Sequence, residues 1–99
     1  MQKYTLSKQA EKDLSEIWHY TVVHWSREQA DKYVNGLLDA CSIIAKAPDK
    51  LGFSYDSVRE GYRKYPYRKH IIFYKIHIDG STFISRVLHE KMDYKRHIY

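Results

Sequence analysis

The spacing of hydrophobic residues changes once along the chain, close to Pro48. Before this proline, apolar residues recur every three or four positions, which is the period of an α-helix with one buried face. After it, short apolar runs alternate with turn residues, as is typical of β-strands. The pattern therefore predicts a helical first half followed by a strand-rich second half.

The first helix is predicted over residues 8–24. Ser7 suits an N-cap, and the carboxylate of Glu11 would lie near the positive end of the helix dipole. One arc of this helix collects Ala10, Leu14, Ile17, Trp18, Thr21 and Trp25. We expect the arc, including both tryptophans, to fill the core between helix and sheet.

A second helix is predicted between Ser26 and Pro48. Ser26 with Gln29 three residues later has the form of a capping box, and a proline cannot continue a helix. Its apolar arc is broad, which suggests contacts on two sides, and contains Ala30, Tyr33, Val34, Leu37, Leu38, Cys41, Ile44 and Ala45. Because only capping residues separate the two helices, they should form an antiparallel hairpin.

The second half predicts a small antiparallel sheet. Residues 70–78 form the clearest strand, and the dipeptide Asp79-Gly80 suits a tight turn into a returning strand over residues 82–88. Residues 62–67 should form either an edge strand or an irregular one, because Pro66 has no N–H to donate to a ladder.

Three further segments complete the predicted architecture. Residues 4–6 suggest a short first strand, residues 49–58 a loop, and residues 89–99 a polar, basic end that forms either a short helix or a tail. The predicted fold class is α+β, with an N-terminal antiparallel helical hairpin packed on a small antiparallel β-sheet.

Length and composition narrow the choice of function. The 99 residues suit one domain, residues 1–99, and leave no room for two. Neither a signal peptide nor a membrane span is evident, so we expect a cytoplasmic protein without a membrane partner. Cys41 is the only cysteine and should be buried in the core. The net charge of +5 attracts nucleic acid or an acidic protein, and charge alone does not separate them.

Several short sequence stretches form a set whose order and spacing span nearly the whole chain. They are Leu6-Ser7 with Ala10, Asp13-Leu14, Glu16-Ile17, Trp25, Gln29-Ala30, Tyr33, Arg59 to Lys64, His70 to Tyr74, Arg86 to His89, and Met92-Asp93. Together they resemble the ParE branch of the RelE/ParE superfamily of type II toxin–antitoxin systems. The loop at residues 48–52 is one residue longer than is usual in that family, and it touches none of these stretches.

The resemblance implies a toxin that acts by binding proteins. ParE-like toxins bind and poison DNA gyrase, and a DNA-binding ParD-like antitoxin holds them inactive with a flexible tail. The family's C-terminal segment is implicated in gyrase poisoning, which here suggests Arg86, His89, Met92, Asp93 and Arg96. For the antitoxin we expect contacts along the aromatic edge segment, at Tyr62, Arg63, Tyr65 and Tyr67. We expect no sequence-specific DNA binding by this chain itself.

An alternative comes from the RelE-like branch, whose members cut mRNA on the ribosome. That chemistry needs a base, an acid and cations around the phosphate. Candidates are Arg59, Arg63, Lys64 and Lys69 for phosphate, His70, His89 and His97 for proton transfer, and Tyr65, Tyr67, Tyr94 and Tyr99 for stacking on bases. Cations on an edge strand also discourage aggregation, and histidines often make only local hydrogen bonds. We therefore predict no catalytic residue. A non-toxic basic binding module is the third hypothesis.

No metal site or cofactor is predicted. The six histidines are scattered, and His19 and His24 are five residues apart, which does not place them on one helix face. A single cysteine does not support a zinc site, and the isolated glycines form no phosphate-binding loop.

Overall fold

A computed structural model describes residues 4–54 and 60–91. In chain order, the elements are β1 (Tyr4–Leu6), α1 (Lys8–His24), α2 (Arg27–Lys46), β2 (Phe53–Ser54), β3 (Tyr62–Tyr67), β4 (His70–Ile76) and β5 (Thr82–His89). The predicted α+β class is confirmed, with the helical hairpin packed on the sheet. Neither helix in the described part of the chain is long and apolar enough to cross a membrane.

Serine caps begin both helices, as the sequence predicts. The Oγ atom of Ser7 accepts a hydrogen bond from the Ala10 N–H at 2.9 Å, and the Oγ atom of Ser26 accepts one from the Gln29 N–H at 3.0 Å. Each cap satisfies one of the four N–H groups that have no partner at a helix start. Two residues thus suffice to end α1 and begin α2, which makes the hairpin short.

The sheet differs from the prediction in one pairing. Its strand order is β1-β5-β4-β3-β2, and β1 runs parallel to β5, so the sheet is mixed rather than antiparallel. The reason lies where β1 joins α1: the N–H and Oγ of Ser7 donate to the carbonyls of Ile84 and Ser85, at 2.9 and 2.6 Å. The first strand therefore joins β5 at the start of the first helix, a contact between distant parts of the chain.

The predicted edge strand and the loop before it need correction. Phe53 and Ser54 form the two-residue β2, which pairs with Lys64 and Arg63, so only the later part of β3 lies at the edge. Arg63 does not protect a free edge as predicted. Its guanidinium donates to the Leu51 carbonyl at 2.9 Å, because the loop turns its carbonyls toward the strand.

The hairpin between β4 and β5 is confirmed, although β4 ends at Ile76, two residues earlier than predicted. The Ser81 carbonyl accepts from the His77 N–H at 2.8 Å, and Gly80 has a φ of +87°, which glycine adopts without steric cost. Ile78 is consequently in the turn and fully exposed.

The main core lies between the helices and the sheet. Its fully buried members include Leu37, Cys41, Ile44, Ile72, Tyr74 and Ile84. Cys41 is buried as predicted, and burial raises the pKa of its thiol to about 12. A second buried cluster consists of Tyr62, Ile71, Phe73 and Leu88. Alternate residues of β4 belong to the two clusters, as expected when both faces of a strand are covered.

The prediction that both tryptophans fill the core is wrong. Trp25 is 73% exposed, because it is the C-cap residue of α1 and its backbone leaves the helical conformation, so the helical period no longer places its side chain. Trp18 is only partly buried, and its indole N–H donates to Asp31 of α2 at 2.8 Å. A polar indole group with a partner near the surface keeps the ring at the margin of the helical pair.

Candidate functional site

An open groove of about 1340 Å³ runs between the helical hairpin and one end of the sheet. Its walls come from α1, α2, the turn between β3 and β4, and the last residues of β5. Apolar, aromatic and charged side chains alternate along these walls. The groove therefore has the mixed lining of a site for a peptide rather than the closed shape of a small-molecule pocket.

Four rings meet at the floor of the groove, and we name them the ring cluster: Tyr33, Tyr67, His70 and His89. Tyr67, His70 and His89 occupy one register row across β3, β4 and β5. Tyr33 of α2 covers the row, with its ring centroid 5.8 Å from Tyr67 and 5.4 Å from His70, and the two histidine rings lie 5.3 Å apart. The fold thus brings together four titratable rings that are separated by up to 56 residues along the sequence, from Tyr33 to His89.

The hydrogen bonds of the ring cluster fix the proton on His70. The Tyr33 hydroxyl lies 2.7 Å from Nδ1 of His70, and burial raises the pKa of that phenol, although a hydrogen bond with the Lys69 backbone opposes the rise. A backbone group opposes such a rise only when its N–H donates to the phenol oxygen. The Lys69 N–H therefore donates to Tyr33, and the Tyr33 hydroxyl donates its own proton to Nδ1 of His70. Desolvation, with His89 nearby, lowers the pKa of His70 to about 4. His70 is therefore neutral at pH 7, with its proton on Nε2.

His89 has a similar arrangement. Its Nδ1 accepts a hydrogen bond from the Lys91 N–H at 3.1 Å. This is the local hydrogen bond expected from the sequence. A neutral imidazole that accepts at Nδ1 carries its proton on Nε2. Both histidines therefore have an Nε2–H donor, and both line the groove.

Asp13 and Arg86 form a buried ion pair beside the ring cluster. Asp13 is 7% exposed, and its carboxylate accepts from Nε and Nη2 of Arg86 at 2.8 and 2.9 Å. The same carboxylate accepts from the Val87 N–H at 3.0 Å, a ladder group of β5 beyond the end of its pairing with β1. The bonds to Asp13 raise the pKa of Arg86. The pair thus joins α1 to the sheet and neutralises the arginine that the groove would otherwise present.

The tip of the helical hairpin exposes apolar surface at one mouth of the groove. Tyr20, Val23 and Trp25 are 63%, 78% and 73% exposed. Tyr20 stacks on His24 with ring centroids 3.9 Å apart. Tyr20 and Trp25 also line the groove, so the apolar tip and the groove form one continuous surface. Exposed aromatic residues of this kind are the usual anchors of protein–protein interfaces.

The residues proposed for antitoxin contact lie in different environments. Tyr62 is 4% exposed, and its hydroxyl lies 3.2 Å from Ser85 Oγ in the second buried cluster. Arg63 holds the preceding loop, and Tyr65 packs against the main core. Only Tyr67 faces the groove. The contact assignment stays a prediction, and Tyr67 is the member best placed for it.

The residues proposed for gyrase contact are only partly within the described chain. Arg86 is paired with Asp13, and His89 belongs to the ring cluster. Met92, Asp93 and Arg96 lie outside the described residues, as do Arg59, Tyr94, His97 and Tyr99 among the nuclease candidates. Sequence reasoning missed Tyr33 and Asp13 as site residues. Both lie in amphipathic helices, where nothing in the periodicity marks a ring or carboxylate that will meet the sheet.

The family-model comparison matches residues 4–94 to the ParE toxin of the type II toxin–antitoxin system, parDE. The chain belongs to the ParE toxin family. It is 36% identical over 96 residues to Toxin ParE1 of Mycobacterium tuberculosis, covering 97% of both chains. It is 35% identical over 98 residues to Toxin ParE1 of Caulobacter vibrioides, covering 99% of both.

A solved structure has the same fold. A chain from the "Chromosomal ParDE TA system from P. aeruginosa" superposes with a TM-score of 0.78, covering 90% of this chain and 96% of that one at 18% identity. The predicted resemblance to ParE toxins is thus confirmed by family, relatives and fold. The ring cluster and the groove are accordingly features of a toxin from a type II toxin–antitoxin system.

Proposed function

We propose that this ParE-type toxin acts in the cytoplasm by binding DNA gyrase, without catalysis of its own, and that a ParD-like antitoxin neutralises it by occupying the groove. The observation that carries the antitoxin proposal is the continuity of the groove with the exposed apolar tip at Tyr20 and Trp25. A segment that entered the groove would cover both surfaces at once, as a flexible tail that folds on binding can do.

Charge supports the same partner. The chain carries a net charge of +5, and exposed Arg68 and Lys69 stand at the sheet end of the groove. An acidic segment would be attracted over long range, while the buried apolar contacts would set its dissociation rate. We therefore expect affinity to fall only modestly as salt rises, together with a large negative heat-capacity change on binding.

The environment of the ring cluster favours a protein-binding toxin over an mRNA endoribonuclease. Such a nuclease needs cations to stabilise the charge on phosphorus and a base of suitable pKa. Arg68 and Lys69 could supply such charge, but Arg86 is neutralised by Asp13, and the Nδ1 atom of His70, the candidate base, is occupied by Tyr33. With a pKa of about 4, His70 is also a weak base at neutral pH.

Gyrase as the target rests on membership of the ParE family. Purified toxin should inhibit supercoiling of relaxed plasmid by gyrase and cause linear plasmid to accumulate, and its expression without antitoxin should arrest growth with a DNA-damage response. Primer extension on translated mRNA tests the alternative. Discrete cuts in the message, with gyrase unaffected, would contradict the proposal in favour of an endoribonuclease.

The groove assignment has a matched pair of variants. Trp25 and Phe53 are both exposed aromatic residues, at 73% and 62%, but only Trp25 lines the groove. Truncating a central aromatic anchor costs about 2 kcal/mol or more, so Trp25→Ala should weaken antitoxin binding at least tenfold. Phe53→Ala should change it less than threefold. Calorimetry with a ParD-like antitoxin measures both variants. Equal losses of affinity would indicate that the antitoxin tail binds outside the groove.

A further inference from the structure

The sheet end of the groove combines hydrogen-bond donors with positive charge. His70 and His89 each carry a proton on Nε2, because Nδ1 of each is already an acceptor. Neither Nε2 has a hydrogen-bond partner in residues 4–54 and 60–91. Two imidazole N–H groups on rings 5.3 Å apart, both lining the groove, are suited to an anion with two oxygens.

The adjoining turn supplies the charge. Arg68 and Lys69 are exposed and line the groove, and neither makes an ion pair within the described part of the chain. The guanidinium of Arg68 lies 5.7 Å from the ring centroid of Tyr67, which keeps it above the ring cluster. The charge of Arg86 is already balanced by Asp13, so it adds little.

We propose that His70, His89, Arg68 and Lys69 form a carboxylate-binding subsite that takes an acidic side chain of the antitoxin segment. The assignment to the antitoxin rests on the proposed function, whereas the subsite itself does not. The bound carboxylate accepts from the two imidazoles and is balanced by the two cations. The apolar remainder of the segment lies toward Tyr20 and Trp25, so the subsite sets the direction in which the segment enters the groove.

Charges on the surrounding elements favour a single carboxylate over a chain of phosphates. Glu16 of α1 and Asp39 of α2 line the same groove and would repel a polyanion along its length. Glu90 and Asp13 also act on His70, in the sense that favours its charged form. A nucleic acid strand needs a continuous positive track. The groove instead has Arg68 and Lys69 at its sheet end, while the acidic side chains of the helical walls interrupt the positive charge between there and Lys32 of α2.

The subsite can be tested with glutarate as a simple carboxylate probe. Imidazole NMR of the full-length toxin, at constant ionic strength, should show saturable shifts of His70 and His89. The titration midpoint of His70 should rise by about one unit, because a nearby negative charge favours the protonated ring. His77 in the β4–β5 turn and His24 at the hairpin tip should not respond. Unmoved His70 and His89, or equal shifts of all four, would overturn the subsite.

A matched pair of charge variants provides the second test. Arg68→Gln/Lys69→Gln removes two exposed charges of the subsite, while Lys8→Gln/Lys12→Gln removes two exposed charges from α1 outside the groove. The first variant should weaken glutarate binding at least fivefold, and antitoxin binding by a similar factor. The second should leave both within twofold. Equal losses would indicate a general charge effect and overturn the subsite.

The outcomes separate the subsite from the proposed function. If Trp25→Ala weakens antitoxin binding but Arg68→Gln/Lys69→Gln does not, the groove assignment stands and the carboxylate assignment is overturned. If glutarate binds His70 and His89 but no antitoxin enters the groove, the proposed function fails while the anion subsite stands. If a decauridine oligonucleotide displaces glutarate more strongly than a decaglutamate peptide does, the site serves nucleic acid and the acidic-peptide assignment is overturned.

Discussion

At the scale of single residues, Asp13 performs three tasks with one carboxylate. It neutralises Arg86, it accepts from the Val87 N–H at the edge of β5, and it holds α1 against the sheet. Charge-assisted bonds with little solvent access are costly to break, because the surviving charge and the N–H lose their partner without regaining water.

We therefore expect Asp13→Ala to lower the free energy of unfolding by about 3 kcal/mol, the usual scale for breaking one side of a buried pair. Glu16→Ala, one turn later and exposed, should change it by less than about 0.5 kcal/mol. Urea denaturation followed by circular dichroism measures both variants. Equal stability of the two would show that solvent replaces the bonds to Asp13.

Protonation of His70, a member of the ring cluster, should make the stability of the folded chain depend on pH. Its pKa of about 4 in the folded chain lies below its ordinary value of 6.5, because burial disfavours the charged ring. Between pH 6.5 and 4 the unfolded chain thus binds more protons, and stability falls as pH falls through this window. After allowance for partial solvent screening we expect a loss of about 1–2 kcal/mol.

The variant His70→Gln should remove most of that dependence, since the amide oxygen still accepts from Tyr33 and does not titrate. The exposed His77→Gln should retain it. Urea midpoints measured from pH 7 to pH 4 test the pair. An unchanged slope in His70→Gln would assign the acid sensitivity to another group.

At the scale of elements, α2 and β3 meet through Gly36. A methyl group at position 36 would overlap the Tyr67 hydroxyl, so this helical glycine permits the approach that seats Tyr67 beneath Tyr33. Glycine costs a helix about 1 kcal/mol relative to alanine. An alanine at position 36 would improve the helix propensity, but it would prevent the close contact on which the ring cluster depends.

Gly36→Ala should consequently lower stability by about 1–3 kcal/mol despite the better helix propensity of alanine, because overpacking forces neighbours to move. In the background of Tyr67→Phe the loss should shrink by at least about 1 kcal/mol, since removing the hydroxyl relieves the overlap. A double-mutant cycle from denaturation curves gives the coupling. Additive effects would mean that α2 and β3 adjust independently.

Short strands cover the two edges of the sheet, and the described residues of each cover only part of the neighbouring strand. The short β1 covers β5 only as far as Ile84, after which Ser7 and Asp13 of the helical segment take over the hydrogen bonds of the strand. At the other side, the described residues of β2 pair with Arg63 and Lys64 of β3. The short edge strands limit the free backbone that would otherwise promote aggregation.

At the scale of the whole molecule, the described residues form a packed core beside an open groove. The main core fixes the helical hairpin on the sheet, and the groove lies between the hairpin and one end of the sheet. We propose that the antitoxin covers the groove and that the basic C-terminal segment acts on gyrase. The two surfaces would then be separable by mutation.

Truncation after Lys91 tests that separation. The deleted residues 92–99 contain only two aliphatic side chains, Met92 and Ile98, so we expect most of the circular-dichroism signal to remain. Inhibition of gyrase should drop at least tenfold, while antitoxin affinity stays within threefold. Trp25→Ala is the complementary control, which should weaken antitoxin binding and leave gyrase inhibition intact. Unfolding of the truncated chain would instead make this segment structural.

The local features of this protein follow directly from its amino-acid sequence. Ser7, Ser26, Pro48 and Gly80 set the helix starts, the helix stop and the hairpin turn, because capping and turn chemistry act over a few residues. The spaced motifs also placed the chain in the ParE toxin family, since their order is visible without a structure.

Which distant residues meet depends on how the helices and strands pack together. The parallel pairing of β1 with β5, the bonds from Asp13 to Arg86 and Val87, and the ring cluster join parts of the chain with no common period. The exposure of Trp25 was likewise set by where α1 ends rather than by the helical pattern. Periodicity specifies the buried face of an element, whereas packing of the hairpin on the sheet specifies which side chains share the groove.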